Sequence, residues 1–228
     1  YALGRFTESL KVAKVLLRKY LKNGDLFKEA KIEDYSPSKQ TLWKTLLMFD
    51  EACKALKLPY ILLAGTLLGF YRDGTFLSKE KDIDVGLPWN TPRKELIEGL
   101  KKYGFQCYSN KYLDPSNCWL LSVYNPKLGV AIDLFFMKLE EDANRIVIGA
   151  RNESPIRWSL RKFSKRKMAF MGREFLVPDP IEQYLEDFYG LSWKVKQHYC
   201  VLLRGNALLP GNEIVSLNYG YNQLLNLI

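Results

Sequence analysis

Residues 61–87 read ILLAGTLLGFYRDGTFLSKEKDIDVGL, and this stretch decides how the rest of the chain is understood. An apolar run leads into Gly65-Thr66, and the stretch closes on Asp82-Ile83-Asp84-Val85. Residues two apart on a strand share a face, so Asp82 and Asp84 point one way while Ile83 and Val85 point the other. Two carboxylates held that close repel each other unless a cation or a proton lies between them. Ligands that are all oxygen suit a hard divalent ion such as Mg²⁺. Gly65 supplies a turn where backbone N–H groups can meet a phosphate. The stretch therefore predicts a metal-assisted site for phosphate chemistry.

A third carboxylate lies downstream. Val130–Met137 reads VAIDLFFM, with Asp133 as its only polar side chain. A nearly unbroken apolar run marks a strand buried on both faces. A lone carboxylate there costs several kcal/mol to bury unless it is protonated, paired or bound to metal. The economical expectation is that Asp133 faces Asp82 and Asp84 from a neighbouring strand. A D-x-D by itself is common at solvated strand ends, and a single Asp in an apolar run is often a turn or cap. The three elements in this order are far more specific than any one of them.

The order Gly-Thr, then Asp-Ile-Asp-Val, then Ile-Asp-Leu resembles the pattern of the nucleotidyltransferase superfamily. The fuller string AGTLLGFYRDGTFLSKEKDIDVGL is similar to the LicD/fukutin branch, which carries G-T-L-L-G, an Arg a few residues on, and a run ending D-I-D. REFLVPDPIEQYLEDFYGLSWKV, residues 173–195, resembles that family's closing element. The resemblance spans roughly residues 40–195 and is most specific at 62–87.

This resemblance implies an α/β (α+β) fold, a nucleotidyltransferase-like mixed β-sheet flanked by helices. It implies a LicD-like phosphotransferase, a transferase acting in glycan or cell-surface polysaccharide modification. Such enzymes move a substituted phosphate, phosphocholine- or alditol-phosphate-like, from a CDP-linked donor to a glycan or glycolipid hydroxyl. Carried over, Asp82 and Asp84 match the metal-binding pair, and Gly65, Thr66 and Arg72 match the donor-phosphate region; with Asp133 added from its own buried position, the three carboxylates are expected to hold Mg²⁺ (or Mn²⁺). Arg72 would hold phosphate oxygens through its planar fork. The family commonly has Asp at the two positions before the D-x-D, where this chain has Glu80 and Lys81. Glu80 still offers a carboxylate on the strand face of Asp82, and Lys81 brings a cation beside the substrate. Either Asp133 or Glu80 would act as general base; the expectation is Asp133 as ligand and Glu80 as base. Two alternatives are an enzyme moving a nucleoside monophosphate from an NTP and a non-catalytic glycan-binding module. G-T-L-L-G and the closing element argue against the first, and the intact carboxylates against the second.

Composition narrows the rest. With 228 residues, 47% hydrophobic and 26% charged, the chain has the make-up of an ordinary globular domain. No apolar run approaches the roughly 20 residues that span a bilayer. The chain begins at Tyr1 and reads as a fragment or processed form. Cys53, Cys107, Cys118 and Cys200 show no C-x-x-C spacing, and His198 is the single histidine. A zinc site and histidine-based nucleophilic catalysis are therefore disfavoured. The net charge of +9 implies an anionic partner. Much of it lies between Arg145 and Arg173, including RKFSKRK at Arg161–Lys167. No nucleic-acid signature accompanies it, which leaves the donor, an acidic glycan, an anionic membrane face, or a solvated loop or helix face. The compartment is open: cytoplasm or inner membrane face in a bacterium, Golgi lumen in a eukaryote.

Two segments are expected. Residues 1–35 read as an N-terminal helix over 5–22 and a polar linker, or the end of a preceding domain. Residues 36–228 read as the catalytic domain. Ser36-Pro37 is expected to cap a helix with core face Leu42, Leu46, Phe49, Cys53 and Leu56. Strands are expected at 60–63, 83–87, 104–109, 118–124, 130–138 and 144–149, with a helix opened by Thr91-Pro92. Asp179-Pro180 with Glu182 predicts a capped helix ending at Gly190. Asn152-Glu153-Ser154 is a glycosylation sequon weakened by Pro155. Beyond Trp193 the expectation is helical, with a loop near Pro210-Gly211.

Overall fold

The computed structural model describes residues 36–107, 118–140, 145–149 and 157–196. The chain divides into two units, residues 1–35 and 36–228, and the described residues all belong to the second. The helix expected at 5–22, the sequon, His198, Cys200 and everything past 196 lie outside them.

Helix α1 (Lys39–Ala55) opens on Ser38, whose hydroxyl accepts the Thr41 N–H at 3.1 Å. The cap is thus Ser38 and not Ser36: Ser38 is itself extended (φ −62°, ψ 149°), and its side chain meets the first-turn amide. Its inner face carries Leu42, Leu46, Phe49 and Cys53, all buried. Leu56 caps the C-terminus and is only partly buried. Asp50 also faces inward, where Lys54 (2.5 Å) and the Tyr60 hydroxyl (2.9 Å) satisfy its carboxylate.

The fold is a mixed α/β sheet flanked by helices. Strands β1 (Ile61–Leu62), β2 (Asp82–Pro88), β3 (Gln106–Cys107), β4 (Leu120–Asn125) and β5 (Val130–Leu139) order as β1-β2-β5-β4-β3. Among the described strands only β2 and β5 run parallel; β1 pairs antiparallel to β2, and β4 antiparallel to both β5 and β3. Helix α2 (Ala64–Leu68) and a π-turn (Gly69–Asp73) join β1 to β2, and α3 (Arg93–Lys101) follows β2. The central pair is apolar on its inner positions, with Ile83, Val85, Leu87, Ile132, Leu134 and Phe136 all fully enclosed. The same sheet extends further, with β6 (Arg145–Gly149) pairing antiparallel to the end of β5 and β7 (Arg157–Arg161) antiparallel to β6.

The basic stretch 161–167 is not a loop or helix face. It runs from the end of β7 into β8 (Ser164–Phe170), which pairs antiparallel with β9 (Arg173–Asp179). Met171 and Gly172 have φ of 46° and 77°, the paired left-handed conformations of a type I′ hairpin turn. Phe170, Phe175 and Val177 share the buried face of that hairpin. Helix α4 (Ile181–Tyr189) follows and ends at Gly190, as expected. Its N-cap is Pro180, which makes no side-chain cap bond, so the Asp179 capping box does not form. Asp179 instead faces Arg166 at 3.2 Å. None of the described helices is long and apolar enough to cross a membrane.

Candidate metal centre

The site grows out of the parallel pairing of β2 and β5. Their register sets Asp84 directly opposite Asp133, and β4 sets Ser122 opposite Asp133 from the other side. Asp82 begins β2 on the face of Asp84, two residues away. Glu80 lies just before the strand and turns inward with them. One carboxylate oxygen from each of Glu80, Asp82 and Asp84 lies within 4.8 Å of the others. Glu80 and Asp84 are buried and Asp82 is half-buried. Asp133 stands beside this cluster without belonging to it, and Ser122 donates its hydroxyl to Asp133 Oδ1 at 2.6 Å.

Electrostatics follow from burial and like charge. Desolvation first, then Asp82, pushes the Glu80 carboxyl up to about 8. Asp84 is held well above its ordinary range by burial and by Asp82, Glu80 and Asp133. Burial also raises Asp82, and burial with the Asp82 charge raises Asp133 to about 6. Four acids that each resist ionisation form a strongly negative cluster once they ionise. Glu80 Oε2 is buried and has no hydrogen-bond partner among the described residues. An orphaned buried carboxylate oxygen beside two further carboxylates fits a hard divalent cation, which would supply the missing partner. The cluster can therefore hold a metal ion.

The Gly65-Thr66 turn serves this cluster directly. The Gly65 N–H donates to Asp84 Oδ2 at 2.8 Å, and the Thr66 hydroxyl accepts the Asp84 N–H at 2.9 Å. A Cβ on Gly65 would come within 2.9 Å of Glu80 Oε1 and 3.1 Å of Asp84 Oδ2. The glycine is thus needed for the close approach of the carboxylates, and its N–H is already engaged by Asp84. Ala64, just before it, has φ of +40° and donates its N–H to the Tyr184 hydroxyl at 3.0 Å.

Arg72 lies at the end of the π-turn with its fork on Asp73, at 2.9 and 3.1 Å, and one N–H on the Trp193 carbonyl at 3.2 Å. Lys196 approaches the same Asp73 at 3.5 Å. Lys81 is exposed, and its charge lowers Asp82 against the upward pull of burial. Of the basic stretch, Arg161 is bound to Asp187 (2.8 Å) and Lys167 to Glu174 (3.0 Å), so much of its charge is answered within the fold.

Several contributors escaped the sequence reading. Ser122 is one hydroxyl in an apolar strand. Tyr184 and Tyr189 were visible only as letters of a closing motif. Tyr189 is buried, and Asp84, Glu80 and Tyr184 reinforce the upward shift that burial gives its phenol.

The fold and site thus define an acidic centre on a mixed sheet, able to take a cation beside a glycine turn. The chain is 26% identical over 199 residues, 84% of its own length, to the Ribitol-5-phosphate transferase FKTN of Mus musculus, covering 42% of that protein. It is 26% identical over 143 residues, 61% of its length, to the same transferase of Homo sapiens, covering 30% of that one. The chain therefore spans less than half the length of these curated relatives. No family model matches the sequence. Among solved structures, the lincomycin-bound lincosamide antibiotic adenylyltransferase LnuA aligns with a TM-score of 0.45 at 14% identity, over 65% of this chain and 85% of that one. The antibiotic-resistance factor ANT(2'')-Ia aligns with a TM-score of 0.47 at 17% identity, over 82% of this chain and 86% of that one.

Proposed function

We propose that this chain is a metal-dependent transferase that moves a substituted phosphate of the alditol-phosphate or phosphocholine type. Its donor is CDP-linked, and its acceptor is a hydroxyl of a glycan or glycolipid. The observation that carries the reading is the Glu80–Asp82–Asp84 cluster with its unpartnered Glu80 oxygen, in a chain similar to ribitol-5-phosphate transferases.

Asp82 and Asp84 hold Mg²⁺ or Mn²⁺, with Glu80 as a third oxygen donor. The bound ion supplies positive charge that offsets the donor diphosphate and the departing nucleotide. The chain's own groups do the remainder. Gly65 fixes one oxygen of Asp84. Asp133, with Oδ1 held by Ser122 and a carboxyl raised only to about 6, is ionised at neutral pH. It is therefore suited to take the proton of the attacking hydroxyl. This exchanges the expected roles of Asp133 and Glu80, because Glu80 lies inside the oxygen cluster and Asp133 beside it. Lys81, exposed and close enough to Asp82 for its charge to act on it, would meet an anionic substrate, and Arg72 reaches donor phosphates if its fork turns from Asp73. Lys162 and Lys165 serve an anionic acceptor or surface.

The test is a panel of CDP-linked donors incubated with the protein and Mn²⁺, with CMP release read before and after chelation. Release of CMP that stops on chelation supports the proposal. Pyrophosphate from an NTP, with no CMP from any donor, would assign nucleotidyl transfer instead.

A further inference from the structure

Four polar groups form a chain from the far helix to the metal cluster. Tyr184 stands on α4, buried against Phe163 and Phe188. Its hydroxyl accepts the Ala64 N–H at 3.0 Å. Ala64 holds φ of +40°, a left-handed conformation that L-residues with a Cβ adopt only at a cost of roughly 1–2 kcal/mol. The next residue, Gly65, donates its N–H to Asp84 Oδ2 at 2.8 Å. The strained residue therefore lies between two hydrogen bonds, one fixing its own amide and one whose direction its twist sets. A strained backbone persists only where its surroundings over-determine it. Here the surroundings are the Tyr184 hydroxyl on one side and, on the other, the bond from Leu63 N–H to the Asp84 carbonyl at 3.1 Å.

We propose that Tyr184 is a positioning residue for Asp84, acting through the left-handed turn at Ala64 to aim the Gly65 N–H at one carboxylate oxygen and leave the other for the cation. Without the hydroxyl, the Ala64 N–H is buried and unpartnered, and the turn loses the bond that holds it. Asp84 then turns more freely, and the three-oxygen cluster with Glu80 and Asp82 is no longer preset. The consequence for the cation rests on the metal-binding reading above, but the backbone relay does not.

Two variants test this. Tyr184→Phe keeps the ring and its packing and removes only the oxygen. Adding Ala64→Gly supplies a residue that takes φ > 0 without strain, so the turn should hold without the tyrosine. The first readout is hydrogen exchange of the Gly65 amide in metal-free protein. Tyr184→Phe should speed it about tenfold, the equivalent of one lost net hydrogen bond, and the double variant should restore it. The second is the Kd for Mn²⁺ by titration calorimetry, expected to weaken about tenfold and to recover with Ala64→Gly. Unchanged Gly65 exchange in Tyr184→Phe, or loss that Ala64→Gly does not repair, overturns the relay. If exchange behaves as expected while wild-type protein takes up no Mn²⁺, the relay stands and the metal reading fails.

Discussion

Asp84 and Asp133 are direct partners across the parallel β2–β5 pair, yet they are held by different hands. Asp84 accepts the Gly65 N–H and joins Glu80 and Asp82, whereas Asp133 accepts the Ser122 hydroxyl and stands outside that group. Their substitutions should therefore separate. A divalent ion that binds only folded protein stabilises it by about 2.7 kcal/mol at a hundred times Kd. Asp82→Asn should remove the Mn²⁺-induced rise in Tm and the turnover together. Asp133→Asn should keep most of the rise while lowering turnover at least 100-fold, the low end of general-base contributions. Thermal melts with and without Mn²⁺, beside turnover, check this.

Gly65→Ala isolates the site from the fold. Gly65 lies in a helical turn, where alanine is intrinsically favoured by about 0.5–1 kcal/mol. Its new Cβ would meet Glu80 Oε1 at 2.9 Å, the far end of a side chain that can swing away. Metal-free Tm should thus change little, while Mn²⁺ affinity falls roughly tenfold or more as Glu80 leaves the cluster. An equal loss of Tm in metal-free protein would count against this reading.

The raised carboxyls set a pH dependence with a definite sign. Glu80, raised to about 8 in the fold from an ordinary 4.5, stays protonated between those values while the unfolded chain has released that proton. The folded state binds more protons there, so metal-free stability is greatest on the acid side and falls as pH rises toward 8. Asp133, raised to about 6, adds to the fall at the acid end of that window. One such group contributes at most about 1.4 kcal/mol per pH unit. Urea melts of metal-free protein should show this slope, and Glu80→Gln should flatten it. An unaltered slope in Glu80→Gln would assign the effect elsewhere.

Arg72 joins the π-turn to the segment after α4. Its fork holds Asp73, and a further N–H holds the Trp193 carbonyl, with both side chains largely shielded. Arg72→Lys keeps the charge and loses the planar geometry. We expect a loss of roughly 1–2 kcal/mol in urea melts of donor-free protein. A rise in donor KM beyond that seen for Asp73→Asn would identify phosphate contact as an additional role.

Much of the site was legible because strand periodicity is local. Asp82, Ile83, Asp84 and Val85 reveal their faces by alternation, and VAIDLFFM reveals a strand buried on both sides. That Asp133 meets Asp82 and Asp84 from a neighbouring strand was expected from these two runs, whereas the parallel direction and the register that sets Asp84 opposite Asp133 are tertiary and not written in either run. The hairpin β8–β9 was hidden by its charge. Lys165 and Lys167 dominate the reading, while Phe170, Phe175 and Val177 on the other face and Met171-Gly172 at the turn carried the strand signal. Ser122 and Tyr184 were invisible for another reason. Tyr184 reaches Ala64 across 120 residues of sequence, and no local pattern encodes such a contact. Likewise Arg161, read as part of a basic surface, closes on Asp187 of α4.

On the proposed function, the Glu80–Asp82–Asp84 cluster drives phosphate transfer through a bound divalent ion. The most direct measurement is Mn²⁺-dependent CMP release from a CDP-alditol donor by wild-type protein and by Asp84→Asn, with both first verified as folded by circular dichroism. Wild-type protein should release CMP until chelation stops it, and Asp84→Asn should lose at least 1,000-fold, about 4 kcal/mol of transition-state stabilisation. Release by Asp84→Asn at near wild-type rate, or release undiminished by chelation, would contradict this reading.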